Sequence, residues 1–167
     1  MVSESKTKVI KDLKEKSILV SREFSAPLST VWRCYTEHEL LDQWWGPQPW
    51  RAETKSQTFK AGGFWLYAMV GPANEKHWGR MNYISIDPQK SFDIEDVFCD
   101  ENGNANKDLP VSKGKISFTK TNTGTLVEFK MHYATAEDVQ KLVEMGFEQG
   151  ITMCMEQLET ILKTNKI

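Results

Sequence analysis

Two charged side chains stand on strand faces that are otherwise apolar. Arg22 falls within the extended run 18–24 and Asp96 within the run 92–98. Every second residue of a strand lies on the same face, and the other residues on these two faces are hydrophobic. Burying either charge alone is unfavourable, which leaves three alternatives open. The two residues pair with each other, they reach solvent at the end of a strand, or one of them meets a polar group of a ligand. A structural ion pair or a solvent-facing position is the more common outcome.

Asp96 is the residue that fits acid–base chemistry. A carboxyl group in an apolar pocket has a raised pKa, which suits a general acid or base, and Tyr67 or Tyr83 would then hold an oxygen atom of the substrate. Asp96 is therefore the candidate catalytic residue of an enzyme hypothesis. Binding of a small molecule without catalysis is the hypothesis that we place first.

Other reactive constellations are missing from the sequence. The three histidines, His38, His77 and His132, have no HExxH spacing, and the paired glycines at 62–63 lack the ending of a phosphate-binding loop. The three cysteines form no CxxC pair, which argues against a zinc site and against a disulfide framework. We expect neither a metal nor a cofactor, and we interpret the cysteines as buried thiols.

Length and charge limit the remaining classes of function. The chain has 167 residues with 40% hydrophobic content, which fits one domain over residues 17–163 preceded by an extension, residues 1–16, that is flexible or a short helix. A formal charge of −2 and the absence of a basic run interleaved with aromatic residues argue against a nucleic-acid partner. No stretch reaches the ~18 apolar residues that span a bilayer, and the N-terminus does not resemble a secretory signal, so we expect no membrane insertion and a cytoplasmic location.

Most of the elements that would position these side chains are strands. A first strand begins at Ser17 and ends at Pro27, and two short helices follow before Gly46. Short turn signals, which favour antiparallel neighbours, separate six further strands. These lie at about 50–57, 64–70, 78–86, 92–99, 111–121 and 125–133. The segment from Thr135 to Lys163 has apolar residues at helical spacing and predicts one long helix.

This order of elements predicts an α+β fold of the helix-grip type. A curved antiparallel sheet of about seven strands would wrap around the long C-terminal helix and leave a cavity between them. Strand parity and the helix face give a candidate ligand-binding set, although the same residues could simply fill the core. The set is Trp44, Trp65, Tyr67, Met69, Met81, Tyr83, Phe98, Phe129, Met131, Gly146, Gly150 and Met153.

An ordered set of motifs resembles a known family. The motifs are Arg22-Glu23-Phe24-Ser25-Ala26-Pro27, Val31-Trp32, Leu41, Trp44-Trp45-Gly46-Pro47, Ala61-Gly62-Gly63-Phe64-Trp65, Gly79 and Asp87-Pro88. Together they are similar to the family related to the C-terminal domain of the activator of Hsp90 ATPase, over roughly residues 17–163. Lys60-Ala61 departs from the arginine-containing lead often seen before the paired glycines, and residues 1–16 fall outside the resemblance.

The resemblance implies membership of the Bet v 1-like, START-type helix-grip superfamily, whose cavities take apolar small molecules. It therefore implies a protein that binds an apolar, aromatic or lipid-like molecule. The alternatives are a cyclase or hydrolase acting on an aromatic or polyketide-like substrate, and a module that contacts a chaperone in a stress response. Either a monomer or a homodimer is compatible with the sequence.

Overall fold

The computed structural model describes residues 6–164 as one antiparallel sheet covered by helices. The elements are β1 (Lys8–Asp12), β2 (Ser17–Phe24), α1 (Leu28–Thr36), α2 (His38–Trp44), β3 (Arg51–Gln57), β4 (Phe64–Val70), β5 (Lys76–Asp87), β6 (Ser91–Cys99), β7 (Ser112–Lys120), β8 (Thr125–Tyr133), α3 (Ala136–Glu144) and α4 (Phe147–Lys163). The strand order is β1-β2-β8-β7-β6-β5-β4-β3, so the chain returns from β8 to pair with β2. The helices lie on the concave face, and the predicted helix-grip arrangement is confirmed.

The sheet has eight strands rather than the predicted seven, because part of the N-terminal extension is a strand. β1 pairs antiparallel with β2, with Val9 opposite Val20. The prediction of a flexible tail or a short helix was wrong for Lys8–Asp12. The lysines of this segment interrupt the alternation of apolar and polar residues by which a strand is predicted from sequence. Charged side chains, lysine especially, are typical of an edge strand that has solvent on one side. Residues 1–5 of the extension lie outside the described residues.

The C-terminal segment is two helices rather than the single one predicted. It begins as expected, with the Thr135 hydroxyl accepting a hydrogen bond of 3.0 Å from the backbone N–H of Asp138. The break falls at Gly146, which has φ +87°, a left-handed conformation that glycine adopts without strain. Gly150, by contrast, lies inside α4. The two glycines therefore have different roles, although their spacing placed them on one face of one helix.

A bulge in β5 resolves an ambiguity of strand parity. Met81 and Tyr83 on one face compete in the sequence with Ile84 and Ile86 on the other. The pairing with β6 shifts register between Tyr83 and Ser85, so that Ile86 pairs with Phe92 and packs against the same core. Ile84 is the residue turned out, and 58% of its surface is exposed.

Edge-to-face aromatic packing fills the middle of the concave face. The rings of Trp32, Phe92 and Phe118 lie 5.0–6.1 Å apart between centroids. Phe59 and Tyr83 extend this cluster toward β5, with a centroid separation of 4.8 Å. Contacts of this kind add about 0.5–1.5 kcal/mol each beyond simple burial. This part of the interior is core.

Candidate functional site

Asp96 stands at the centre of a row of side chains that crosses five strands. Strand register places Trp65 opposite Met81, Met81 opposite Asp96, Asp96 opposite Ser112, and Ser112 opposite Tyr133. Alternation along β6 puts Asp96 on the same face as the core residues of that strand. The carboxyl group therefore points into the space between the sheet and the helices.

Asp96 has no partner for its charge. Within residues 6–164 its carboxyl group makes neither a hydrogen bond nor an ion pair, although its neighbours in the row, Met81 and Ser112, are buried. Burial raises its pKa from 3.8 to about 7. The side chain nevertheless retains solvent contact, since Asp96 is only partly buried. Water therefore reaches a carboxyl group that lies among core residues.

Three tyrosines surround this carboxyl group closely enough to interact with it electrostatically: Tyr67, Tyr83 and Tyr133. Burial raises the pKa of each phenol, and the proximity of Asp96 raises it further, so all three are neutral hydrogen-bonding groups. Tyr83 already has a structural partner, because Gln57 Nε2 donates to its hydroxyl at 3.1 Å. Tyr67 lies flat across Gly79, where a Cβ atom would be 2.9 Å from the phenol oxygen.

Trp45 marks the open part of the interior. Its ring lies 5.9 Å from that of Trp65 and 6.4 Å from that of Phe129, both of which are buried. Trp45 itself is only partly buried, and so are Phe98 on β6 and Phe147 at the start of α4. We call the region around Asp96, Tyr67, Trp45 and Phe98, whose side chains are not all fully buried, the Asp96 chamber.

Two glycines, one at the N-cap and one in the first turn of α4, leave space around the backbone of the helix. A Cβ atom on Gly146 would meet nothing within 4 Å, and one on Gly150 would meet only Pro47 Cγ at 3.7 Å. The same helix approaches the loop after α2, where the backbone N–H of Gly46 donates to Cys154 Sγ at 3.3 Å. The middle of the helix is therefore held close to the loop, and Phe147 in its first turn packs against the core.

Most of the predicted ligand-binding residues face the concave side. These are Trp65, Tyr67, Met69, Met81, Tyr83, Phe98, Phe129 and Met131. Trp44 is buried with its indole N–H donating to the Cys34 carbonyl at 3.0 Å, a structural role. Met153 is 43% exposed and lies on the outer side of α4, so the structure does not bring it together with the others.

The interior is more filled than the sequence led us to expect, and the prominent surface depressions lie elsewhere. A shallow one of about 550 Å³ lies on the outer face of the sheet around Gly114, Lys115 and His132. A second, of about 350 Å³, lies between Gln48 and the outer side of α4. Neither is lined by Asp96 or by the tyrosines near it.

Arg22, the other charge on an apolar strand face, pairs with the C-terminal helix and not with Asp96. Its Nη2 lies 3.6 Å from Glu159 Oε2, both side chains being buried, and its Nη1 donates to the Thr7 hydroxyl at 3.0 Å. Arg22 pairs in register with Val127, several rows along the sheet from the row that holds Asp96. Arg22 thus forms a structural ion pair, but its partner is Glu159, and the alternative in which Arg22 and Asp96 pair with each other was wrong.

The structure also bears on metals and membranes. No group of three or more His, Cys, Asp or Glu side chains within residues 6–164 is arranged to hold a metal ion. In the same part of the chain, no helix is long and apolar enough to cross a membrane.

A curved antiparallel sheet gripping a C-terminal helix, with two short helices after β2, defines a helix-grip domain. The model of the activator of Hsp90 ATPase homolog 1-like family matches residues 25–163, and the chain belongs to that family. The predicted membership is confirmed, and it is consistent with the wider Bet v 1-like superfamily.

Solved bacterial structures share this fold over nearly their whole length. A protein from Mycobacterium smegmatis is 33% identical with a TM-score of 0.86, over 93% of this chain and 96% of its own. A protein from Arthrobacter aurescens is 29% identical with a TM-score of 0.88, over 94% of this chain and 91% of its own. A protein from Nitrosomonas europaea is 25% identical with a TM-score of 0.77, over 91% and 97%. No curated protein matches the chain.

Proposed function

We propose that this protein binds a small molecule in the Asp96 chamber, with an apolar or aromatic body against the rings and one polar group at the carboxyl. The observation that carries the proposal is Asp96 itself. A carboxyl group placed among core residues without a partner destabilises the fold, and a ligand that supplies a hydrogen bond or a charge removes that penalty.

The chamber favours a small ligand. The middle of the concave face is occupied by the Trp32, Phe92 and Phe118 cluster, so the guest is restricted to the part of the interior that holds Asp96, Tyr67 and Trp45. Trp45 and Phe98 are the partly exposed rings against which a flat apolar body would pack. Tyr67 provides a phenol beside the carboxyl group, able to donate or to accept a hydrogen bond.

Acid–base catalysis is the second candidate function, and the pKa of Asp96 favours it. A carboxyl group with a pKa of about 7 exchanges protons readily at neutral pH, which suits a general acid or base. Tyr67 or Tyr83 would hold a substrate oxygen, as the enzyme hypothesis requires. Contact with a chaperone and formation of a homodimer stay predictions, which no described contact favours.

Displacement of a neutral apolar dye tests the binding proposal. Nile red bound to the protein should be displaced by small aromatic compounds, and the backbone amide signals of Asp96, Phe98 and Tyr133 should shift during an NMR titration. The matched variants are Asp96→Asn and Asp93→Asn. Asp93 lies on the same strand with its carboxyl group on the opposite face, near Ser85 and Lys115.

We expect Asp96→Asn to change ligand affinity or selectivity and Asp93→Asn to leave both unchanged. Shifts confined to the outer depressions, or equal effects of the two variants, would refute the chamber as the binding site. For the enzyme candidate, unchanged turnover in Asp96→Asn on any substrate that the protein converts would remove Asp96 from the mechanism.

A further inference from the structure

The charges that face the concave side are unevenly balanced. At one end Arg22 and Glu159 neutralise each other. The second carboxylate oxygen of Glu159, Oε1, lies 3.8 Å from Lys163 Nζ. At the other end Asp96 stands alone. The nearby cation on β5, Arg80, lies on the outer face of the sheet, where its guanidinium donates to the Gly103 carbonyl.

Within residues 6–164 the groups around Asp96 are neutral, and no positive charge acts on its carboxyl group. Tyr67 and Tyr83 face it from β4 and β5, Tyr133 faces it from β8, and each remains neutral because burial raises its phenol pKa. On its own strand the thiol of Cys99 is similarly kept protonated by burial, which raises its pKa. From the helix side the Cys154 thiol acts electrostatically on Tyr67, and burial raises the pKa of this thiol to about 11.

We infer that the ligand of the Asp96 chamber is a small organic amine, whose ammonium group pairs with the carboxylate while its aromatic or apolar body lies against the surrounding rings. This inference rests on the proposed function and specifies its ligand class. A carboxylate beside aromatic rings is complementary to an ammonium ion, because the carboxylate forms an ion pair with it and the rings attract it by cation–π interaction. Among residues 6–164 the chamber holds a carboxylate and several aromatic rings, and no cation acts on the carboxylate.

Other ligand chemistries match the chamber less well. A carboxylate or phosphate ligand would bring a second negative charge to Asp96, and the cation that faces the concave side, Arg22, is already paired with Glu159. A neutral alcohol gains one hydrogen bond, whereas an ammonium group also removes the cost of an uncompensated buried charge. The predicted order of affinity is therefore amine, then alcohol, then carboxylate.

Binding of an amine is coupled to a proton. An ammonium group beside Asp96 stabilises its charged form, so the pKa of the carboxyl falls on binding and a proton is released near pH 7. A pKa of about 7 leaves Asp96 about 90% ionised at pH 8 and about 10% ionised at pH 6. An alkylammonium group, like that of lysine, stays protonated over this range. Amine affinity should therefore fall about tenfold between pH 8 and pH 6.

Isothermal titration calorimetry with a matched series tests the inference. The probes are naphthylmethylamine, naphthylmethanol and naphthoate, titrated into the full-length chain at pH 8 and pH 6. Proton release is measured from the heats in two buffers of different ionisation enthalpy. The proteins are the native chain, Asp96→Asn and, as the matched control, Asp93→Asn, each first shown to be folded by its thermal unfolding transition.

The expected result is tightest binding of the amine, a roughly tenfold loss of its affinity in Asp96→Asn at pH 8, and no loss in Asp93→Asn. Alcohol affinity should depend little on pH. If the alcohol binds as tightly as the amine, or if Asp96→Asn leaves amine affinity unchanged, the amine inference is overturned while binding in the chamber stands. If none of the three probes binds or displaces Nile red, the proposed function is overturned as well.

Discussion

Replacing Asp96 with asparagine should stabilise the protein, and by an amount that depends on pH. The pKa of Asp96 is raised from 3.8 to about 7 in the folded state, so the folded protein binds more protons than the unfolded chain between these values. Stability contributed by the protonated carboxyl is therefore present at low pH and is lost as pH rises toward 7. Asparagine has nearly the same shape and carries no charge at any pH.

The raised pKa of Asp96 sets the size of the stabilisation expected for Asp96→Asn. A change of about three pKa units corresponds to about 4 kcal/mol at 1.36 kcal/mol per unit, which is an upper value for a fully enclosed group. Because Asp96 keeps some contact with water, we expect a gain of about 2–4 kcal/mol for Asp96→Asn above pH 7. With a urea dependence of about 2 kcal/mol per molar, the unfolding midpoint should rise by about 1–2 M.

Urea unfolding at half-unit steps from pH 4 to pH 8 measures this gain. The free-energy difference between Asp96→Asn and the native chain should grow between pH 4 and pH 7 and level off above it. Asp93→Asn, on the outer face of the same strand, provides the control and should not show that pH-dependent gain. A difference that is constant with pH, or a variant less stable than the native chain at pH 8, would refute the reading of Asp96 as an unpaired carboxyl in the chamber.

Two further predictions concern the C-terminal helix and can be measured by urea unfolding. Gly146→Ala should destabilise the protein by about 1 kcal/mol, because the φ of +87° at this residue is unfavourable for alanine. Gly150→Ala should stabilise it by up to about 1 kcal/mol, because that residue lies inside α4 with only Pro47 nearby. Effects of the same sign would contradict the break between α3 and α4 at Gly146. Arg22→Met should destabilise by about 3 kcal/mol by leaving Glu159 buried and poorly paired, and the double variant Arg22→Met/Glu159→Leu should recover most of that loss. A double variant no more stable than Arg22→Met would show that the pair is not the cause.

Strand pattern predicted the sheet well because turns and alternation are local signals. The bounds of β4 and β8 agree with the sequence-based expectation, and α1 and α2 occur where the proline and glycine signals placed them. β1 could not be read in this way, since an edge strand with one solvent-facing side and few apolar residues has no alternation to detect. Its position depends on pairing with β2, which is a tertiary contact.

The break between α3 and α4 shows a different limit. Glycine is compatible with both a helix interior and a left-handed turn, and the sequence around Gly146 continues the helical spacing on either side. What selects the turn is packing: α3 lies against β8, while the middle of α4 lies against the loop after α2. A single straight helix cannot meet both surfaces.

For the site, parity alone identified Asp96, since one charge on an apolar face is a strong local signal. Trp45 was missed from the predicted set, because two adjacent tryptophans offer no way to tell which one is used for structure. The indole N–H of Trp44 is taken up by the Cys34 carbonyl, which leaves Trp45 to border the chamber. The extent of packing in the middle of the interior also depends on the ring orientations of residues far apart in sequence.

Arg22 and Asp96, the two charges on apolar strand faces, have opposite effects on the stability of the fold. On one side of the concave face, Arg22 and Glu159 join β2 to the last turns of α4, and the thiol of Cys154 ties the middle of that helix to the loop after α2. The helix is thus held by contacts beyond its first turn, in which Phe147 packs against the core. The unpaired carboxyl group of Asp96 lowers the stability of the fold, and contacts elsewhere in the protein offset that loss. A ligand that provides a positive charge beside Asp96 would remove it.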